Sequence, residues 1–119
     1  MKSHATTVSA VSVVNELIPK LNAVEKQIEQ TISAVLETSQ LPTQIERYTK
    51  LQAEFQLELT MIRMNLEHLL KRYSQELAAV VNDPRQDVLL TLDAYEATAI
   101  ENAKQLYRRV QALQTQGPA

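Results

Sequence analysis

Cysteine is absent from the 119 residues, and glycine occurs once, as Gly117. Without thiols there are no disulfides, no thiolate metal sites and no cysteine nucleophile. Without an internal glycine, phosphate-cradling P-loops and dinucleotide turns are excluded, because their backbones approach the phosphates only where no Cβ intervenes. Sandwiches, barrels and doubly wound sheets also need glycine at turns and bulges, so they are disfavoured. Cations never cluster beyond the pairs Lys71-Arg72 and Arg108-Arg109, and the net charge is -2. A nucleic-acid binder needs a basic stripe to neutralise phosphates, so no nucleic-acid partner is expected. No window approaches the roughly 18 apolar residues that cross a bilayer. The stretch from Ser3 to Ser12 is too polar for the core of a signal peptide. A cytoplasmic protein with no membrane partner is the expectation.

What remains is 45% hydrophobic and 22% charged, a globular balance at a length that suits one domain. Proline marks the internal breaks. Ser39-Gln40-Leu41-Pro42-Thr43 ends one segment, and Thr43 with Glu46 has the spacing of a capping box. Asn82-Asp83-Pro84 ends the next, with Asp83 placed as an N-cap and Pro84 at the first helical position. Gly117-Pro118 is a helix stop. These signals predict helices over 8–38, 43–81 and 84–115, with a flexible N-terminus over 1–7, a single helical domain over 8–116 and a tail over 117–119.

The apolar spacing agrees. Val14, Leu17, Leu21, Val24, Ile28 and Val35 share one face of the first helix. Tyr48, Leu51, Phe55, Leu59, Ile62, Leu66, Leu69, Tyr73, Leu77 and Val80 share one face of the second. Val88, Leu92, Tyr95, Ala99, Ala103, Leu106, Val110 and Leu113 do so in the third. Short loops make neighbouring stripes bury one another, so the fold class read here is all-α. Its expected form is an elongated up-down-up three-helix antiparallel bundle, helical hairpins with coiled-coil-like packing. The second helix alone spans roughly 58 Å at about 1.5 Å per residue. Pro19 falls on the solvent side of the first helix, where a kink or late start is expected. Val8 to Val14 also reads as a short strand, but the sequence offers it no evident partner strand. Lys71 and Arg72 are expected near Asp93 and Glu96, and Arg108 and Arg109 toward Glu54 and Glu58, as solvent-exposed pairs.

Chemistry-bearing motifs are scarce. The histidines, His4 and His68, lack the Glu-x-x-His and His-Glu-x-x-His spacings of helical metal sites, so no metal and no cofactor are expected. Glu54 with Glu58, and Asp93 with Glu96, have the spacing of ordinary solvated helix surface. No catalytic residues are assigned, and a non-enzymatic protein is expected.

One feature exceeds what a simple bundle needs. Leu57, Met61, Met64 and His68 form a second stripe on the middle helix, nearly opposite its core face and rimmed by Lys50, Glu54, Lys71 and Arg72. An apolar centre with a charged rim is the anatomy of a protein contact, and methionine adapts to varied partners. The expected function is a protein–protein interaction module, an adaptor, chaperone-like or inhibitor protein, holding a helical segment of another protein on these four residues. The alternative is a structural subunit that self-associates as a homo-oligomer. Leu90, off the third helix's core face, reads as an incidental stray.

Overall fold

The computed structural model describes residues 6–116 of the chain, so His4 and the Gly117-Pro118 stop lie outside the described residues. The protein is all-α with one small ribbon. Its elements are β1 (Thr7–Ser9), α1 (Ala10–Ser12), a π-helical turn (Val13–Leu17), α2 (Ile18–Thr38), α3 (Pro42–Arg72) and α4 (Ser74–Asn82). A 3₁₀ turn (Pro84–Gln86), β2 (Leu89–Thr91) and α5 (Ala94–Gln116) follow.

α2, α3 and α5 meet along one core. Leu21, Val24, Ile28, Ile32 and Val35 come from α2, Phe55, Leu59, Ile62, Leu66 and Leu69 from α3, and Ala99, Ala103, Leu106 and Val110 from α5. These are the stripes read from the spacing, and each fully buried Leu, Ile or Phe contributes about 1.5–3 kcal/mol. Side-chain cross-links join the three helices. Arg63 of α3 bonds Glu25 near the start of α2 at 2.8 Å. Arg109 of α5 bonds Glu58 of α3 at 2.7 Å. The longest extent is 52 Å, below the length expected for an unbroken middle helix. The difference arises at Tyr73 (φ -116, ψ 30), where the expected helix over 43–81 divides into α3 and α4.

Pro19 produces a widened turn. The Ile18 N–H bonds the Val13 carbonyl, five residues back. A proline ring in an ordinary helix collides with the carbonyl four residues before it, here that of Asn15, and the π-turn removes the collision.

The largest departure is at the third helix, which does not start at Pro84. Leu89–Thr91 forms a strand that pairs antiparallel with Thr7–Ser9 in the register Thr7↔Thr91, Val8↔Leu90, Ser9↔Leu89. The stretch around Val8 therefore does contain a strand, and its partner lies some eighty residues away in sequence, beyond the reach of local pattern. Asp87 belongs to the other end of this clasp. Its carboxylate accepts from the Val11 N–H at 2.9 Å, and Ser9 Oγ accepts from Ser12 N–H at 3.0 Å, so together they cap α1. Leu90 is fully buried with Ala10, Val13, Leu77 and Val80, where α4 folds onto α1; it is a core residue and no stray. Val88 and Tyr95, placed in the core stripe by spacing, are exposed, because the helical period does not run through the strand.

The caps differ correspondingly. Thr43 lies inside α3, which starts at Pro42 with no side-chain cap, while Ser39 Oγ bonds Gln44 instead. Asp83 caps only the 3₁₀ turn, accepting from Arg85 N–H. The reciprocal capping box belongs to α5: Asp93 Oδ1 accepts from Glu96 N–H at 2.7 Å, and Glu96 Oε1 from Asp93 N–H at 2.8 Å. Asp93→Ala is expected to lose about 0.5–2 kcal/mol through this cap, whereas Thr43→Ala stays within about 0.5 kcal/mol. Chemical denaturation of both variants checks the pair.

Candidate functional site

α3 carries side chains on two opposite faces. Its inner face holds Phe55, Leu59, Ile62 and Leu66, all buried. Its outer face presents Leu57, Met61 and Met64, which are 62%, 58% and 68% exposed. The three sequence-predicted apolar residues thus lie together on the outer face. Ion pairs flank the stripe along the helix, Lys50 with Glu46 at 3.3 Å and Lys71 with Glu67 at 3.2 Å.

His68 ends the stripe and joins it to the interior. Its Nδ1 lies 2.8 Å from Glu96 Oε2 and 3.7 Å from Asp93 Oδ2. Glu96 has no exposed surface, so it is not the solvated helix acid that its spacing suggests. Arg72 grips both of its oxygens, at 2.5 Å to Oε1 and 3.2 Å to Oε2, and also donates to the Thr91 carbonyl at 2.8 Å. Tyr73 exchanges hydrogen bonds with the same residue, its hydroxyl accepting from the Thr91 N–H and donating to the Thr91 carbonyl, each at 3.2 Å. The Arg72–Glu96 pair therefore ties the end of α3, the strand β2 and the first turn of α5.

Burial pushes the Glu96 carboxyl up. The hydrogen bonds from Arg72, the Asp93 N–H and His68 outweigh it and hold the group below the usual carboxylate value. The hydrogen bond to Glu96 likewise raises the Arg72 guanidinium, against a smaller effect of desolvation.

Two other chemical uses of this cluster can be weighed on its geometry. One ligand atom each from His68, Asp93 and Glu96 falls within 4.8 Å of the others, so these residues could hold a divalent cation. Such an ion must compete with a guanidinium already bonded to both Glu96 oxygens, and the donor set suits an ion-pair hub better. The His68–Glu96 contact is also the orienting half of a nucleophilic triad, yet among the described residues no hydroxyl is hydrogen-bonded to His68.

A groove of about 590 Å³ runs between the first helical segments and α5. Leu17, Leu21 and Ile100 are among the apolar residues lining it, and Glu16, Lys20, Lys104 and Arg108 are its charged ones. Lys20 lies over the Tyr107 ring, 5.5 Å from its centroid.

Sequence reasoning missed the Asp93–Glu96 box and its link to His68. The Asp-x-x-Glu spacing at Asp93-Ala94-Tyr95-Glu96 was the available signal, masked by the stronger-looking Asp83-Pro84 start. Among the described residues no helix is long and apolar enough to cross a membrane. No protein-family model, curated protein or solved structure matches the chain.

Proposed function

We propose that the chain is a non-enzymatic, cytoplasmic interaction module that works by holding a partner helix on the outer face of α3, within an up-down-up arrangement of α2, α3 and α5. The observation that carries this reading is the exposure of Leu57, Met61 and Met64 on one face, opposite a fully packed core stripe of the same helix. Large apolar side chains left in water together are a binding surface in waiting, since covering them returns ordered water to bulk. A helix is the fitting partner class, because the exposed stripe is straight, narrow and repeats at helical spacing. His68 bounds the stripe with a ring held in place by Glu96, so that end of the surface is ordered before any partner arrives.

The test replaces Met61 and Met64 with glutamate. Both positions are in water in the free chain, so the thermal midpoint stays at that of the unassociated wild type, within about 0.5 kcal/mol. A carboxylate covered by an apolar partner loses its hydration, so association is lost. A photo-crosslinker at position 61 captures a protein, and one at the exposed Gln105 of α5 does not. Loss of the fold in the double variant, or equal capture from both positions, contradicts the reading.

A further inference from the structure

We infer that the helix covering the outer face of α3 is α3 of a second copy of this chain, packed antiparallel about a two-fold axis between Met61 and Met64. The inference rests on the reading above and names its partner. Leu57, Met61, Met64 and His68 follow one another at intervals of four, three and four, the spacing of a coiled-coil seam. The same alternation extends the seam by one position at each end, to Glu54 before Leu57 and Lys71 after His68. All six side chains are exposed.

A seam of this kind can meet its own copy in two directions, and the charges separate them. In a parallel, in-register pair every residue faces itself, so Glu54 meets Glu54 and Lys71 meets Lys71, which disfavours it at both ends. In the antiparallel pair Met61 faces Met64, Leu57 faces His68, and Glu54 faces Lys71, each contact occurring twice by symmetry. The flanking positions add no like-charge contact, since Glu58 then lies beside Asn65 and Glu67 beside Thr60. The face is self-complementary, which is what a two-fold interface requires of a single surface patch. Glu54 has no ion-pair or hydrogen-bond partner among the described residues. Among the described residues Lys71 pairs only with the exposed Glu67 one turn away, so it is able to reach across. The His68–Leu57 layer fits the same scheme: the imidazole presents its ring to the leucine while Nδ1 stays bonded to the buried Glu96.

Sedimentation equilibrium of the purified full chain tests this, with thermal unfolding confirming that each variant is folded. The wild type is expected to be dimeric. Glu54→Lys sets Lys against Lys71 and Lys71→Glu sets Glu against Glu54, and each is expected to weaken the dimer by about tenfold or more. The double variant Glu54→Lys, Lys71→Glu restores the opposite-charge contacts and the wild-type dissociation constant. A parallel dimer gives a different pattern, because like still faces like in every variant and no rescue appears. A wild type that stays monomeric at millimolar concentration overturns the inference, as does a dimer indifferent to these swaps. If the chain is monomeric while position 61 still captures a different protein, the interaction reading stands and the self-pairing fails. If neither occurs, both fail.

Discussion

Leu90→Ala is expected to cost about 2–5 kcal/mol, as much as Leu59→Ala in the main core. Leu90 sits on a two-stranded ribbon that looks peripheral, yet it has no exposed surface and fills the space between α1 and α4. Removing its branched end leaves a cavity lined by Ala10, Val13, Leu77 and Val80. The ribbon cannot close that cavity by sliding, because a one-residue slip of a strand turns every side chain to the other face. Leu89, the next residue, is 70% exposed and is expected to tolerate alanine with little change. Urea unfolding of the two variants reads the contrast directly. Equal, small losses would mean that the clasp contributes nothing to the fold.

Arg72→Ala is the second large effect. Breaking an exposed pair such as Lys71–Glu67 costs about 0–1 kcal/mol. Loss of Arg72 is expected to exceed that, because it strands the fully buried carboxylate of Glu96 without its counter-charge. It also removes the shorter of the two side-chain hydrogen bonds to the Thr91 carbonyl, leaving that from the Tyr73 hydroxyl. The acid dependence follows from the direction of the Glu96 shift. Burial raises its pKa, the hydrogen bonds from Arg72, the Asp93 N–H and His68 together outweigh that rise, and the folded value lies below the unfolded one. The stability Glu96 supplies is therefore complete above its ordinary value of about 4.3 and is lost as the pH falls through the lower, folded value. Glu96→Gln is expected to trail the wild type at about pH 5 and above, with the margin narrowing below about 4. A margin that does not narrow below about pH 4 contradicts this assignment.

The helices were legible in the sequence where burial has one period. The α2 and α3 stripes, and α5 from Ala99 onward, occupy the core as their spacing requires. The exposed Leu57, Met61 and Met64 were legible by the same wheel, because a second stripe on a helix already supplied with a core face has nowhere else to point. Failures came where the determining partner is distant. The short apolar run over 88–92 suits a helix or a strand alike, and two short strands become stable only by pairing with each other and covering a core. Asp83-Pro84 is a sound local start signal, and it does open a turn, but the Asp93–Glu96 box wins because Arg72 and His68 reward burying its glutamate there. The bend at Tyr73 has no proline or glycine behind it. It falls where Arg72 and Tyr73 both reach to Thr91, a contact no local pattern contains.

The molar mass of the purified chain across concentration, for the wild type beside Met61→Glu, Met64→Glu, tests the central claim most directly. The expected masses are twice 13.4 kDa for the wild type and 13.4 kDa for the double variant, whose unfolding midpoint matches that of wild type diluted to the monomer. A wild type that remains at 13.4 kDa, or a double variant that stays paired, contradicts it.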